Sequence, residues 1–297
     1  MVTVSFGKDI YTTRTFNWVS VGLFDEYVFI KDDNNWKKFE SYKSGDSYIA
    51  DGYPQRIQFS EDIKKAVYDR FMIRFPANGS LCTSHKCILK ISENALLDKK
   101  TYTYIVGRAL KDGSPDFEHC SEERTFTLYP NTYIPRVYQI TDQQGFNWIE
   151  YQVWAAAAKK VNERIESDCK AENIIPILID TGDVTQNGTR INEWLDYYNG
   201  GNCLFNHLEV MNVVGNNDLC STIPTELGTG DDIGKSNSYY FHIFNCYEID
   251  TENLPIVNGI YVPSLYYFDT KEQRFVMVNS EITYENCKNW FKIVKDN

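Results

Sequence analysis

Residues 173–183 read NIIPILIDTGD: an unbroken apolar run at 174–179, then an acid, a threonine and a Gly-Asp pair. A run that short, bounded by turn residues, reads as a strand covered on both faces, as strands of parallel sheets are. Upstream, residues 136–141 (RVYQIT) form a second short apolar strand. Residues 209–214 (EVMNVV) form a third. Between the first two, residues 147–167 carry Trp148, Val153, Trp154, Ala157, Ala158, Val161 and Ile165 near helical spacing. Residues 190–198 read as a short amphipathic helix before the third strand. The order strand, helix, strand, helix, strand implies a parallel α/β sheet.

Each of these strands closes on a polar cluster: Thr141-Asp142-Gln143-Gln144, Asp180-Thr181-Gly182-Asp183, and Gly215-Asn216-Asn217-Asp218. Ligands of open α/β sheets bind at the carboxyl ends of the strands, so the three clusters are expected to converge on one edge. Carboxylates joined by an amide oxygen suit a divalent cation. Gly182 and Gly215 permit the tight turns that swing the next residue toward a shared point.

Before this unit, residues 13–130 alternate short β-rich runs (TRTFNWVSV, DEYVFIK, YDRFMIRF, CILKIS, TYTYIVGRAL, RTFTLY) with turn clusters such as KDDNN, PANGS and KDGSPD. That is the pattern of an all-β sandwich. YVFIK and RFMIRF are apolar on both faces and read as central strands. The segment LLDKKTYTY (96–104) leads into a strand that opens with tyrosines, one of which can turn its hydroxyl onto the preceding corner. Residues 130–135 (PNTYIP) read as a linker, because prolines resist helix and central-strand pairing. After Ile223 the pattern returns to β in SYYFHIF, GIYVPSLYYF and RFVMVNSE, with a hairpin turn at 269–273. A helix over 286–294 follows.

The three clusters, in this order, resemble the motif series of the calcineurin-like metallophosphoesterases: D-x-H, then G-D, then G-N-H-D or G-N-H-E. The first 130 residues resemble the fibronectin type III modules of purple acid phosphatases, through TRTFNWVS, the single His85 before an apolar strand, and YTYIVG. The resemblance implies a fibronectin III-like sandwich over 1–130 and the N-terminal part of an α/β metallophosphoesterase sandwich over 131–297. It also implies two divalent ions, of manganese, zinc or iron, and a phosphate ester substrate. Asp142 then stands for a ligand of the first ion, Asp183 for the bridging carboxylate and Asn216 for a ligand of the second. Asp218 stands for the acid that orients its neighbour.

The departures carry equal information. Gln144 stands where many members place a ligating histidine, and Gln186 where purple acid phosphatases carry a tyrosinate, so no purple colour is expected. Asn217 replaces the histidine that acts as general acid; it donates a hydrogen bond but cannot deliver a proton. The late motifs that supply three histidines are missing: the chain's histidines are 85, 119, 207 and 242, none in the required context. Asn187 and Arg190, just after the second cluster, are candidate phosphate contacts, since a guanidinium fork matches phosphoryl oxygens.

The 297 residues are enough for two cores, and a net charge of −11 argues against a nucleic-acid or anionic-membrane surface. No apolar run is long enough to span a bilayer, and the first residues lack the pattern of a secretion signal, which favours a cytoplasmic or assembly-associated protein. Eight scattered cysteines are expected to be mostly free thiols. Cys82, His85 and Cys87 with His119 and Cys120 offer zinc donors at a spacing that matches no common finger. A reading from another class is a non-catalytic structural or binding module of a larger assembly, such as a virion or surface complex, built on a degenerate metallophosphoesterase fold.

Overall fold

The computed structural model describes residues 1–7, 9–21, 24–32, 34–40, 55–56, 81–90, 98–188, 190–219, 240–244, 256–257, 260–261, 265–280 and 282–296. The strand read at 68–75 lies outside these residues, as does the corner at 91–97.

The first part of the chain is built from β1 (Val2–Phe6), β2 (Thr13–Val21), β3 (Tyr27–Asp32), β4 (Asn35–Glu40), β5 (Gln55–Arg56), β6 (Leu81–Lys90), β7 (Lys100–Ala109), β8 (Pro115–Cys120) and β9 (Arg124–Leu128). They form two antiparallel sheets, ordered β1-β2-β6-β5 and β4-β3-β7-β8, with β9 pairing the first half of β7. Alternate residues of both sheets share one core: Val4, Phe16 and Trp18 from the first meet Val28, Tyr104 and Phe126 from the second. The Phe16 ring stands edge-on to Tyr104 at 5.0 Å and to Phe126 at 5.4 Å. As its apolar run implies, β3 is an interior strand, with both Val28 and Phe29 fully buried. Among the described residues the buried Tyr104 hydroxyl has no hydrogen-bond partner, so the expected tyrosine corner is not seen there.

The next three strands, β10 (Ile134–Ile140), β11 (Ile174–Asp180) and β12 (Val210–Asn212), form a parallel sheet in that order. Pro135 belongs to β10 and not to a linker. Proline is tolerated there because β10 is an edge strand in this sheet. Pro176 sits in the middle strand without cost for a related reason: β12 pairs only with residues 178–180, so the N–H that Pro176 lacks faces no neighbour on that side.

Helix α1 (Trp148–Ala171) carries the chain from β10 to β11 and buries Tyr151, Trp154, Ala158 and Ile165 at helical spacing. It starts at Asn147, whose Oδ1 accepts from the backbone N–H of Ile149 (3.0 Å) and Glu150 (3.3 Å). Glu150 returns a carboxylate to the Phe146 N–H at 2.6 Å, so orphan donors on both sides of the cap are satisfied. Helices α2 (Ile191–Gly200) and α3 (Asn202–Phe205) lead to β12, and the turn α4 (Asn216–Leu219) follows it.

Residues 238–244, read as a strand, contain instead the helical turn α5 (Tyr240–Ile243). Its aromatics explain the difference. Tyr240 and Phe244, one helical turn apart, both pack on Trp194, at 6.4 and 5.8 Å, which a helix allows by setting them about 6 Å apart along its axis, where a strand would set them about 13 Å apart. Short strands β13 (Ile256–Val257) and β14 (Ile260–Tyr261) precede the hairpin β15 (Tyr266–Asp269) and β16 (Arg274–Met277), closed by Thr270 N–H to Gln273 O at 2.8 Å. The hairpin is fastened to the parallel sheet by the Tyr266 hydroxyl, which donates to Asn212 O at 2.7 Å. Helix α6 (Tyr284–Asp296) ends the described chain. No described helix is long and apolar enough to cross a membrane.

The sandwich and the parallel sheet are joined by a fully buried ion pair. Arg14 on β2 donates from Nε to Glu209 Oε1 at 2.6 Å, just before β12. Its remaining nitrogens donate to the carbonyls of Ile10 (2.8 Å), Thr13 (3.0 Å) and Thr127 (2.8 Å), and the guanidinium lies 4.6 Å from the Phe6 ring centre. A second tie runs from Thr125 N–H to Asn206 O at 2.8 Å. Both ties lie at the amino end of β12, opposite the three polar clusters.

Candidate metal centre

The clusters after β10, β11 and β12 do converge. Asp142, Asp183 and Asn216 line one open groove of about 620 Å3, whose other walls include Val137, Ile179, Val213, Phe275 and Met277. The loops are stitched through their backbones: Asp142 N–H donates to Gly182 O (3.1 Å) and Gln144 N–H to Asp183 O (2.9 Å). Asp142 and Asp183 both take left-handed backbone angles, with φ of 58° and 55°. Such angles are uncommon outside glycine, though aspartate tolerates them better than most residues.

The glycines serve a closer contact than a turn alone requires. Gly182 has φ of 94°, and a Cβ there would lie 2.4 Å from Gly215 N. A Cβ on Gly215 would lie 2.2 Å from Asp183 N and from its Oδ1. The second and third loops therefore touch backbone to backbone, and any side chain at either position would force them apart.

Asp218 laces those two loops. Its Oδ1 accepts from Val184 N–H, Thr185 N–H and the Thr185 hydroxyl, each at 3.0 Å. Its Oδ2 accepts from Asp183 N–H (3.0 Å) and Gly215 N–H (2.9 Å). Complete burial pushes its carboxyl up to about 7, while the donors around it pull the other way. Asn217, which the sequence places beside the substrate, is turned onto Asp183. Its N–H donates to Oδ1 at 2.9 Å and its Nδ2 to Oδ2 at 3.0 Å, while Gln186 Nε2 holds Asn217 Oδ1 at 3.1 Å.

Other sequence-predicted positions have different surroundings from those expected. Gln144 does not aim an oxygen into the groove. In the amide orientation that satisfies its neighbours, the side-chain nitrogen donates to the backbone carbonyls of Asp183 (2.7 Å) and Asp142 (3.2 Å), clipping the first loop to the second. Asn187 and Arg190 are buried and do not line the groove. Arg190 NH1 donates to Glu193 Oε1 at 2.9 Å, and Glu193 Oε2 accepts from Asn187 N–H at 2.8 Å. Burial pushes the Glu193 carboxyl up to about 7, with the Arg190 guanidinium opposing. This network shapes the loop from beneath. Sequence gives its signal as Arg190 and Glu193 three residues apart at a helix start.

Asp180, the last residue of β11, has a separate role that sequence reading missed. It is fully buried and accepts from the Tyr197 hydroxyl at 2.5 Å and from Gly182 N–H at 3.1 Å. Burial pushes its carboxyl up to about 8. Unfolded, it returns to an ordinary value near about 3.9. Between those values the folded protein keeps a proton that the unfolded chain has released. The stabilisation is thus fully present on the acid side and is lost as pH rises toward 8, by at most about 1.4 kcal/mol per pH unit. Melting curves at pH 5 and pH 8 should show a fall for the wild type that Asp180→Asn reduces, the remainder belonging to Asp218 and Glu193, whose carboxyls burial also raises; equal falls would show that Asp180 is not held protonated.

Among the described residues the one trio of carboxylate and imidazole groups close enough to share an ion is Asp116, Glu118 and His119 on β8, on the surface. Of the zinc donors read from sequence, the side chain of Cys82 lies outside the described residues, and His85 and Cys87 on β6 belong to a different sheet from His119 and Cys120 on β8. His85 stacks on Trp18 at 4.9 Å, and burial lowers its imidazole to about 4, so it is neutral. Cys87 is a buried free thiol, and Cys120, Cys169, Cys203 and Cys287 are also free.

No protein-family profile and no curated protein sequence matches the chain. Solved structures do. The purple acid phosphatase PPD1 from yellow lupin (Lupinus luteus) seeds superposes with a TM-score of 0.61 at 15% identity, over 99% of this chain and 47% of that one. PhoD aligns with a TM-score of 0.48 at 9% identity, over 96% of this chain and 53% of that one. The chain therefore has a sheet-rich fold related to that of purple acid phosphatase, and it spans about half the length of the lupin protein it matches.

Proposed function

We propose that this chain is part of a metal-dependent phosphoric-ester hydrolase, a phosphatase or phosphodiesterase, with a fibronectin III-like domain over 1–130 and a metallophosphoesterase domain over 131–297. The observation that carries the reading is the meeting of Asp142, Asp183 and Asn216 in one groove at the carboxyl edge of a parallel sheet. Their side-chain oxygens would hold a divalent cation, which would supply Lewis-acid polarisation of a phosphoryl group there.

The chain's own residues have distinct tasks in this account. Asp142, Asp183 and Asn216 offer the oxygens, and Asp218 and Gln144 hold the loops that carry them. Asn217 donates its backbone and side-chain amide hydrogens to the two oxygens of Asp183 and so fixes that carboxylate in place. Asn217 cannot protonate a leaving group, which forfeits roughly 100-fold to 10,000-fold for poor leaving groups and least for aryl esters. Arg190 and Asn187 position the second loop rather than touch substrate.

Hydrolysis of bis(4-nitrophenyl) phosphate with added Mn2+, Mg2+ or Zn2+ tests the reading. The wild type should turn it over, and Asp183→Asn should lose on the order of 100-fold. Equal rates in the two proteins would remove the cluster from any catalytic role and favour a binding module.

A further inference from the structure

Gln186 follows Asp183 closely in the chain but does not line the groove. Its side chain is committed to Asn217, where Nε2 donates to Oδ1 at 3.1 Å. Asn217 in turn has every polar group engaged with residues 183–188. Its backbone N–H donates to Asp183 Oδ1 (2.9 Å) and its Nδ2 to Asp183 Oδ2 (3.0 Å), its Oδ1 accepts from Gln186, and its carbonyl accepts from Gly188 N–H (3.2 Å). One residue of the third loop thus clasps the second loop from Asp183 to Gly188.

The two bonds from Asn217 take both carboxylate oxygens of Asp183 and fix its plane. The Gly215 backbone lies against the same group, since a Cβ there would meet Oδ1 at 2.2 Å. What remains on each oxygen faces the groove that Asp183 lines. An asparagine amide turns easily about χ2, and Asp183, Gln186 and Asn217 are all half-buried, where water competes for each group. A carboxylate only accepts, so the series is satisfied in one sense: Gln186 donates, Asn217 accepts and donates, Asp183 accepts. Gln186 holds the end of the Asn217 amide that Asp183 does not.

We infer that Gln186 is a positioning residue for Asp183, acting through Asn217: by pinning the Asn217 amide it fixes the carboxylate plane and the lone pairs turned to the groove. That these lone pairs serve an ion rests on the proposed function; the clasp itself does not. Partners of this kind, one step removed from a ligating carboxylate, change metal affinity by about 10-fold to 100-fold when lost. A neutral amide pair at a half-buried position adds little to stability, so the two effects separate.

Gln186→Met keeps the length of the side chain and removes the donor. Three measurements on the full chain compare it with the wild type: the Asn217 side-chain NH2 resonances by two-dimensional NMR, assigned by their loss in Asn217→Ser; Mn2+ affinity by equilibrium dialysis, with Asp183→Asn marking the binding that belongs to the groove; and the urea midpoint. The resonances should shift and their hydrogens exchange faster with water, the groove's Mn2+ should bind at least about tenfold more weakly, and the midpoint should stay in place. Gln186→Glu, which sets an acceptor against Asn217 Oδ1, should displace the same resonances further. Resonances unchanged in both variants would overturn the clasp. Shifted resonances with unchanged Mn2+ affinity would make the contact structural only and overturn the positioning role, as would a midpoint lowered so far that unfolding accounts for the weaker binding. A wild type with no Mn2+ binding that depends on Asp183 would overturn the proposed function and with it the service to an ion, and the resonances would then show separately whether the clasp stands.

Discussion

Asp218→Asn is expected to cost the folded protein about 3 kcal/mol or more, because it strands buried donors. The carboxylate accepts four backbone N–H groups and one hydroxyl from residues on both the second and third loops. An asparagine keeps one acceptor oxygen and turns an NH2 group toward either Asp183 N–H and Gly215 N–H or the three donors around Val184 and Thr185. At least two backbone donors then lose their acceptor, at about 1–3 kcal/mol each. The glycine contact tightens the constraint, because the loops are already backbone to backbone and cannot shift to admit water. Urea denaturation of both proteins measures the loss. A difference under about 1 kcal/mol would mean that the lacing is not what holds the loops.

The second large effect lies at the far end of the sheet. Arg14→Met should destabilise by about 3–5 kcal/mol, since it leaves Glu209 charged or forcibly protonated in a dry interior. Glu209 is fully buried, and burial already raises its carboxyl against the pull of Arg14. The loss falls on the contact between sandwich and parallel sheet, because Arg14 also holds the carbonyls of Ile10, Thr13 and Thr127. The paired change Arg14→Met with Glu209→Leu removes both charges and should regain most of the loss, to within about 1–2 kcal/mol of the wild type. Thermal unfolding of the three variants reads this directly; a double variant as unstable as the single one would show that the carbonyl contacts, not the ion pair, dominate.

The sheet and the convergence of its loops were legible because the signals are local. An apolar run that ends in Gly-Asp or Gly-Asn states both the strand and the turn after it, and Asn147 before the helical pattern states the cap. Longer-range contacts decided the rest. Arg14 and Glu209 are 195 positions apart, and nothing in either neighbourhood announces the other. Residues 238–244 are aromatic at nearly every position, so they satisfy a strand period and a helix period equally; Trp194 settled the matter by offering Tyr240 and Phe244 a shared surface.

The candidate site divides in the same way. Residue type picked out Asp142, Asp183 and Asn216 as candidates, and the fold brings them to one groove, but orientation is a property of packing. Gln144 and Asn217 therefore read as groove-facing residues, while their amides brace the loops. Asp218 was legible as an acid beside the site. Its role as the acceptor for both loops was not, because its donors at Asp183, Val184 and Thr185 lie on another loop of the chain. Asn187 and Arg190 sit at the right place in the chain, and Glu193 draws them inward.

Whether the three strand-end loops meet to hold a cation can be read from anomalous diffraction by a crystal soaked in Mn2+. An anomalous peak in the groove, bonded to Asp142, Asp183 and Asn216 at about 2.0–2.6 Å as oxygen ligands of hard divalent ions are, is the expected result. A groove without a peak at millimolar Mn2+ would contradict the metal reading.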